Sequence, residues 1–596
     1  MKSGLLAFGV IVWAAPVVAQ PASDPLAPLP QGTPATVPVL PPAPVAVQPA
    51  PAPAIPAAPA VPTVVVPRDW RGVFDAIDAG NWASARAGIA ALPAGVLTPV
   101  AKAELYTAKD SPTVDLASLQ ALLAEAPDLP QAQQLATMAW NRGATTMPWY
   151  VVEKATVNLG SAPGRYKARP VSGEPAADQL RAALDPLIKA DDAAGSEAQL
   201  LTFAPQMSVE ARAEAATRVG FVYYVLGLDM DARRVADTWR TGATGEWASQ
   251  AAWISGLASW RLNDCNSAAA AFQQVAALAP QRELRAGGLY WAARAQQACK
   301  RPWAVTPLLR AAATAAESPE SFYGLLARET LGMPTQLPPD RMSGFDPPVE
   351  QLANVRRAIE LVRIGEAGLA EEMLRHQAKI GAPSEHHALI QVAKRLDLPA
   401  AQLYLANNGQ WGARSDAADR YPNPQWRPLK GWRVDPALAY GHIVQESAFR
   451  RGAVSTAGAV GLMQVLPVTA QLISRNRGVP YTRAALNDPT YNLEYGQSFI
   501  EMMRGNSGTA GQLPRVIASY NAGPLPVARW ATINDRGDPL LWIESIPYWE
   551  TRYYVPAVLR NMWVYQGLNH EQTATLKAMA EHRWPAFPTG MTRLSH

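Results

Sequence analysis

Residues 256–265 read Gly-Leu-Ala-Ser-Trp-Arg-Leu-Asn-Asp-Cys, and residues 288–299 read Gly-Leu-Tyr-Trp-Ala-Ala-Arg-Ala-Gln-Gln-Ala-Cys. Both place small and apolar side chains at three-and-four spacing and then break at polar residues, the pattern of a helix with one buried face. Cys265 and Cys299 stand 34 positions apart, a spacing typical of helix-turn-helix repeats. A second helical run carrying Ala268 and Phe272 follows the first cysteine. Gly256 and Gly288 fall slightly out of step with that spacing, so the repeat is degenerate. The same texture, rich in alanine and poor in alternating β-branched runs, extends from Trp70 to about Met333 and predicts an α-solenoid.

Outward from this region, the whole chain has 596 residues, more than the roughly 250–300 that one hydrophobic core can serve, so at least two domains are expected. With 48% hydrophobic and 17% charged residues, a wholly disordered or fibrous chain is excluded. Fifty-three basic against 49 acidic residues leave a formal charge of +4, too mild a bias to indicate nucleic acid as a partner. Nineteen tryptophans outnumber ten phenylalanines, and such rings either pack helical interiors or stack on sugars.

At the start, Met1-Lys2, an apolar run from Leu5 to Ala15 and Val17-Val18-Ala19 before Gln20 have the layout of a secretory signal peptide, residues 1–19, cut near Ala19. The run is shorter than the ~20 apolar residues a membrane span needs and breaks at Pro16, so no transmembrane anchor is expected to remain. Residues 20–67 are a Pro/Ala-rich disordered tether that favours extended polyproline stretches. Residues 68–336 form the expected superhelical domain and 337–420, including the run from Val355 to His376, a helical linker domain. The catalytic domain is placed at 421–567 and a C-terminal tail at 568–596. Export into an oxidising compartment lets Cys265 and Cys299 pair; two separately buried thiols are the alternative.

The chemical signal lies in the last third. Asp435-Pro436 starts a helix, with a capping side chain before the one helical position that needs no donor, and the run continues to Phe449. Glu446 falls near its end, and the apolar neighbours Ile443 and Phe449 would raise its pKa and keep it protonated as a general acid requires. Three further blocks follow: Ser455-Thr456-Ala457-Gly458-Ala459-Val460-Gly461-Leu462-Met463-Gln464, then Ala518-Ser519-Tyr520-Asn521-Ala522-Gly523-Pro524, then Ile546-Pro547-Tyr548-Trp549-Glu550-Thr551-Arg552-Tyr553-Tyr554-Val555.

Each residue also has a plainer reading. An isolated glutamate is usually solvated, Tyr520 and Asn521 would make an ordinary turn, and Met463 would fill a core. Glu550 and Arg552, two apart on a helix, do not face each other and are expected to form separate structural ion pairs. Glu544 and Asp488 are read as structural too, although either is a candidate base for activating water. His442 and Glu446 share a helix face like half a metal site, but no His-Glu-x-x-His signature is present, and the adjacent histidines of Glu385-His386-His387 point different ways, so no metal is expected. Trp530, Trp542, Trp549 and Trp563 could line a sugar groove, with core packing favoured for most of them.

Taken in order, the Glu446-Ser447 pair, Gly461-Leu462-Met463-Gln464, Tyr520-Asn521-Ala522-Gly523 and the Ile-Pro-x-x-Glu-Thr-Arg-x-Tyr-Val block resemble the soluble lytic murein transglycosylases. Phe322-Tyr323-Gly324 and Leu331-Gly332 are similar to the end of that family's helical superhelix, so the resemblance runs from about Trp70 to Gln566. Val460 and Ser519 depart from the family pattern, which bears on substrate contacts. The resemblance implies a mainly α protein: an N-terminal superhelix, a helical linker and a goose-type-lysozyme-like domain with a small β element. It also implies cleavage of the β-1,4 bond between N-acetylmuramic acid and N-acetylglucosamine in peptidoglycan, without water.

By the same resemblance Glu446 is the catalytic acid and base. Ser447, Ser455, Met463, Gln464, Tyr520 and Asn521 contact substrate, with Tyr548 and Glu550 as secondary candidates. Ser447 has an alternative role in a local backbone hydrogen bond. Glycosidases that rely on two carboxylates hold them about 5 Å or about 6.5–9.5 Å apart, and the motifs around Glu446 offer no second one. The substrate's own 2-acetamido oxygen would fill that role, and the muramyl C6 hydroxyl would close a 1,6-anhydro ring. No cofactor is implied. The implied partners are peptidoglycan glycan strands, with other cell-wall enzymes as further candidates, and the implied location is the periplasm. The rivals are a hydrolytic muramidase and a non-catalytic helical scaffold of cell-wall assemblies.

Overall fold

The computed structural model describes residues 64–338 and 347–588. The signal peptide, most of the tether and the last residues of the tail lie outside the described residues. Among the described residues nearly all regular structure is helical, and the one sheet has two strands, with Thr156–Asn158 antiparallel to Asn408–Gln410. No described helix is long and apolar enough to cross a membrane.

Packing divides the described chain into two compact units, 64–153 with 350–376, and 154–349 with 377–588. The expected superhelical and linker ranges are therefore each shared between the units, because burial, unlike composition, groups helices that are distant in sequence. In the smaller unit, five short helices from Trp70 to Asn141 pack with the Ala353–Arg363 helix. Two acidic N-caps, Asp69 and Asp115, start helices there by accepting from Gly72 and Ser118, each at 2.8 Å. Arg357 closes the unit on Asp128 at 2.9 Å.

The larger unit begins with helices paired from Pro175 to Thr330. The helix Gly245–Arg261 is followed by Cys265–Leu278, and Arg282–Ala298 by Pro302–Ala315. Their start points give a structural period of 37 (282 − 245 and 302 − 265), not the 34 that separates the cysteines. The difference arises because Cys265 opens a helix just past one turn whereas Cys299 caps a helix just before the equivalent turn. Asn263 and Lys300, both at φ 60, are the matching left-handed residues of those turns. The two cysteines form a disulfide with Cα atoms 5.5 Å apart. Gly288 sits where two helices cross, and a Cβ there would lie 2.8 Å from the Phe272 carbonyl oxygen, so a larger residue would push the helices apart.

The last part of this unit wraps Pro467–Arg477, Pro489–Arg504 and Leu513–Ala522 around a central pair, Pro436–Glu446 against Trp549–Leu568. Asp435 caps the first of these by accepting from Ala437 N at 2.8 Å, with Pro436 at the first helical position. That helix ends at Glu446, three residues short of the expected Phe449. Ser447 and Ala448 both donate backbone N–H to the Ile443 carbonyl, and Ala448 and Phe449 turn left-handed at φ 50 and 64. The turn drives the Phe449 ring into the core beside Trp426 and Tyr440. Here the β element is reduced to single bridges linking Val454, Val460 and Val465.

This domain packs on the superhelix through Phe322 stacked on Trp563 at 5.3 Å. A buried cluster adds to it, in which Glu544 accepts from Arg165 and from the Tyr323 hydroxyl, each at 2.6 Å. Residues expected as tail carry a helix, Ala574–Ala580, whose Leu576 and Met579 are fully buried, and Trp563 donates to Thr575 at 2.9 Å.

Candidate active site

Glu446 is half-buried at the last position of its helix. One carboxylate oxygen, Oε1, accepts from the Tyr554 hydroxyl at 2.5 Å. Burial pushes the carboxyl up to about 7; the Tyr554 hydrogen bond opposes this and the negative charge of Glu550 adds to it. No cation among the described residues pairs with it.

Other acids of the domain are committed elsewhere. Glu494 pairs with Arg433 at 2.8 Å, and Glu501 with Arg433 at 3.0 Å and Arg477 at 2.5 Å. Asp488 caps the Pro489–Arg504 helix by accepting from Thr490 N at 2.8 Å, and Glu544 lies in the buried cluster with Arg165. Glu550 differs: it is half-buried, burial raises its pKa, and a hydrogen bond from Asn521 partly offsets the rise. The ion pairs expected for Glu550 and Arg552 do not form among the described residues. Arg552 instead lays its guanidinium over the Phe221 ring at 3.9 Å, because its helix face turns toward an aromatic neighbour.

In the same domain, Gly461-Leu462-Met463-Gln464 makes a tight turn between Val460 and Val465, whose backbones pair. Gly461 has φ +81, and a Cβ there would run into the Asn492 amide and the Leu486 carbonyl. Asn492, fully buried on Pro489–Arg504, fixes this turn. Its Nδ2 donates to the carbonyls of Val460 and Leu486 at 3.0 and 2.7 Å, and its Oδ1 accepts from Met463 N at 2.8 Å. Tyr520 donates to the Met463 carbonyl at 2.7 Å. Met463 itself is buried, as a core filler would be. Gln464, left-handed at φ 45, spends its Nε2 on the carbonyls of Ala453 and Gly461, leaving Oε1 without a partner among the described residues.

Asn492→Ala would strand two buried polar groups, the Leu486 carbonyl and the Met463 N–H, at about 1–3 kcal/mol each, while the Val460 carbonyl keeps the Val465 N–H. A net loss of about 3 kcal/mol is expected, visible as a lower urea midpoint at unchanged slope.

The remaining expected residues are placed as follows. The Ser447 hydroxyl reaches back to the Ile443 carbonyl at 3.4 Å, the local backbone role, and Ser455 accepts from Ala459 N at 3.0 Å within its own turn. Asn521 accepts from Thr551 at 2.6 Å, which turns its amide nitrogen toward Glu550. Tyr548 is exposed and packs edge-on against Trp530 at 5.1 Å. Val460 and Ser519 are both buried and face packing. Trp530, Trp542 and Trp563 are core residues, whereas Trp549 is half-buried with Lys167 over its ring at 5.4 Å.

Two residues that sequence reasoning missed complete the site. Tyr554 lies inside the third quoted block but had no visible partner. His442, one turn before Glu446, is fully buried, and burial pulls its pKa down to about 3, so it is neutral. Its Nδ1 meets the Tyr554 hydroxyl at 2.7 Å and its ring lies 4.5 Å from that of Tyr520. The half metal site is thus a histidine hydrogen-bonded to Tyr554 and packed ring to ring on Tyr520. Among the described residues the group spaced to hold a metal is His387 with Asp416 and Asp419, outside this site, and Asp419 already accepts from Gln391 and from Asp416 N.

Residues 427–543 match the family model described as Transglycosylase SLT domain. A soluble lytic murein transglycosylase of Salmonella typhimurium is 27% identical over 282 residues, covering 44% of this chain and 41% of the relative. That of Escherichia coli K12 is 27% identical over 257 residues, covering 40% and 38%. The chain spans about two fifths or less of the length of the curated relatives it matches. Among solved structures, the lytic transglycosylase Slt of Pseudomonas aeruginosa, an inactive mutant, aligns over 84% of this chain and 86% of its own, with a TM-score of 0.52 at 20% identity, a likeness of fold.

Proposed function

We propose, from the match of residues 427–543 to the family model described as Transglycosylase SLT domain, that this chain is an exported, periplasmic lytic transglycosylase. It cleaves peptidoglycan strands between N-acetylmuramic acid and N-acetylglucosamine and leaves 1,6-anhydromuramyl ends. The observation that carries this reading is the state of one carboxyl group. Burial raises the Glu446 carboxyl to about 7, close to neutral, and among the described residues it is hydrogen-bonded on one oxygen only.

In this scheme Glu446 gives its proton to the glycosidic oxygen as the bond to the muramyl anomeric carbon breaks. The 2-acetamido oxygen of the same sugar attacks that carbon, holding the positive charge in a ring until the next step. Glu446, now a carboxylate, takes the proton of the muramyl C6 hydroxyl, whose oxygen displaces the acetamido group and closes the anhydro ring. Protons balance and Glu446 returns to its starting form. In this reading Oε1 of Gln464, without a partner among the described residues, reads sugar or peptide amides, Tyr520 supports the turn that carries Gln464, and the helical repeats carry the long polymer.

Mass spectrometry of digested peptidoglycan tests the reading, since anhydro ends lack one water relative to reducing ends. Hydrated ends alone would overturn it in favour of a muramidase, with Glu550 the acid nearest in electrostatic terms to activate water. The pH profile supplies a second test. The reactive form is the protonated one, so kcat/KM should be flat below about 7 and fall about tenfold per pH unit above it. A basic limb near 4.5 would show an ordinary, solvated carboxyl.

A further inference from the structure

The hydroxyl of Tyr554 has one proton and two close neighbours, Glu446 Oε1 at 2.5 Å and His442 Nδ1 at 2.7 Å. Only one direction of donation suits a working acid. If Tyr554 donated to the histidine, Oε1 would have to carry the Glu446 proton in order to meet the tyrosine oxygen. The reactive proton would then be spent inside the protein, and the histidine would hold a buried N–H at Nε2 with nothing to accept it. With the proton on Nδ1, the histidine donates to Tyr554, Tyr554 donates to Oε1, and Nε2 is left as a bare acceptor. That atom is buried and has no partner among the described residues, and a lone pair is the less costly group to leave unpaired.

We propose that His442 is a positioning residue: by donating from Nδ1 to the Tyr554 oxygen it forces Tyr554 to donate to Oε1 of Glu446, so that the catalytic proton rides on Oε2, the oxygen with no hydrogen-bond partner among the described residues. The ring is locked for this purpose. It packs on Tyr520 at 4.5 Å, and Tyr520 is in turn held by Phe499 at 5.1 Å and by the Met463 carbonyl. The groups that face this relay are Tyr554 and Glu550 from the Trp549–Leu568 helix, Tyr520 from Leu513–Ala522, and Glu446 from the histidine's own helix. Donation into the tyrosine oxygen also makes the tyrosine a stronger donor, which favours the Glu446 carboxylate needed for ring closure.

The proposal rests on Glu446 being the acid and is tested on the full-length chain with peptidoglycan. His442→Phe keeps a ring on Tyr520 but removes the donor. It should lower kcat at least about tenfold with KM nearly unchanged, and move the basic limb to higher pH. His442→Asn, which returns an N–H near Nδ1, should recover most of the loss. In a Tyr554→Phe background His442→Phe should change neither kcat nor the pH limb, because the relay is already broken.

Equal effects in both backgrounds, or no effect in the first, would overturn the proposal. If His442→Phe does not fold, His442→Leu takes its place, and failure of both to fold would assign the histidine to the core alone and overturn it too. Failure of the underlying reading looks different: wild type would release no anhydro product, or Glu446→Gln would retain full turnover.

Discussion

Glu446→Gln is expected to lower turnover at least about a thousandfold, since the amide can neither give nor retrieve a proton. The same change should make the protein more stable at high pH. The folded carboxyl titrates at about 7, above the 4.5 of an ordinary glutamate, so the folded chain binds the proton more tightly than the unfolded one. That contribution is fully present below about 4.5 and disappears as pH rises through 7, where the wild type must hold a half-buried charge. Glutamine carries no such burden. Allowing for partial solvent screening, the variant should gain about 2 kcal/mol over wild type at pH 8 and close to nothing at pH 4. Melting curves at the two pH values check this; a gap that does not widen with pH would show that burial does not set the acidity of Glu446.

Glu544→Ala is expected to produce the largest loss of stability, about 3–5 kcal/mol, because it leaves a buried cation without its counter-charge. The Arg165 side chain is only 6% exposed and that of Glu544 1%. Arg165 keeps its contacts with the rings of Trp253 and Tyr553, at 4.8 and 4.9 Å, but these supply no charge. Tyr323 loses its acceptor as well. Urea denaturation should show the midpoint fall. Any folded fraction should still release anhydro ends, which separates Glu544 from the base that a water-using enzyme would need. A stable variant whose product ratio changed would reverse that assignment.

The sequence disclosed local chemistry and withheld partners. Asp435-Pro436 predicts a helix start that the structure contains, because capping and a missing donor are properties of adjacent residues. Apolar neighbours around Glu446 predict a raised pKa for the same reason. The end of the helix was less legible: Ala448 and Phe449 are ordinary helix residues by type, and only the core that takes the Phe449 ring makes them left-handed.

The spacing of His442 and Glu446 looks like half a metal site and the missing His-Glu-x-x-His signature argues against metal, but neither points to Tyr554, whose hydroxyl meets the histidine from 112 residues further along the chain. Asn492 shows no motif at all and yet holds the Gly461 turn. The repeat shows the same limit in another form. The cysteine spacing reports which side chains touch across two turns, and the longer period of the helices becomes visible only when their start points are compared.

One feature of the acid's position reaches beyond its side-chain surroundings. The Pro436–Glu446 helix has eleven residues, and the carboxyl hangs from the last of them. Aligned peptide dipoles give the carbonyl end of such a helix roughly half a negative elementary charge, within reach of the final turn. That field repels a carboxylate and tolerates a carboxylic acid. The main chain therefore acts on Glu446 in the same direction as the exclusion of water, so the acidity of this group is set in part by atoms that no side-chain substitution removes.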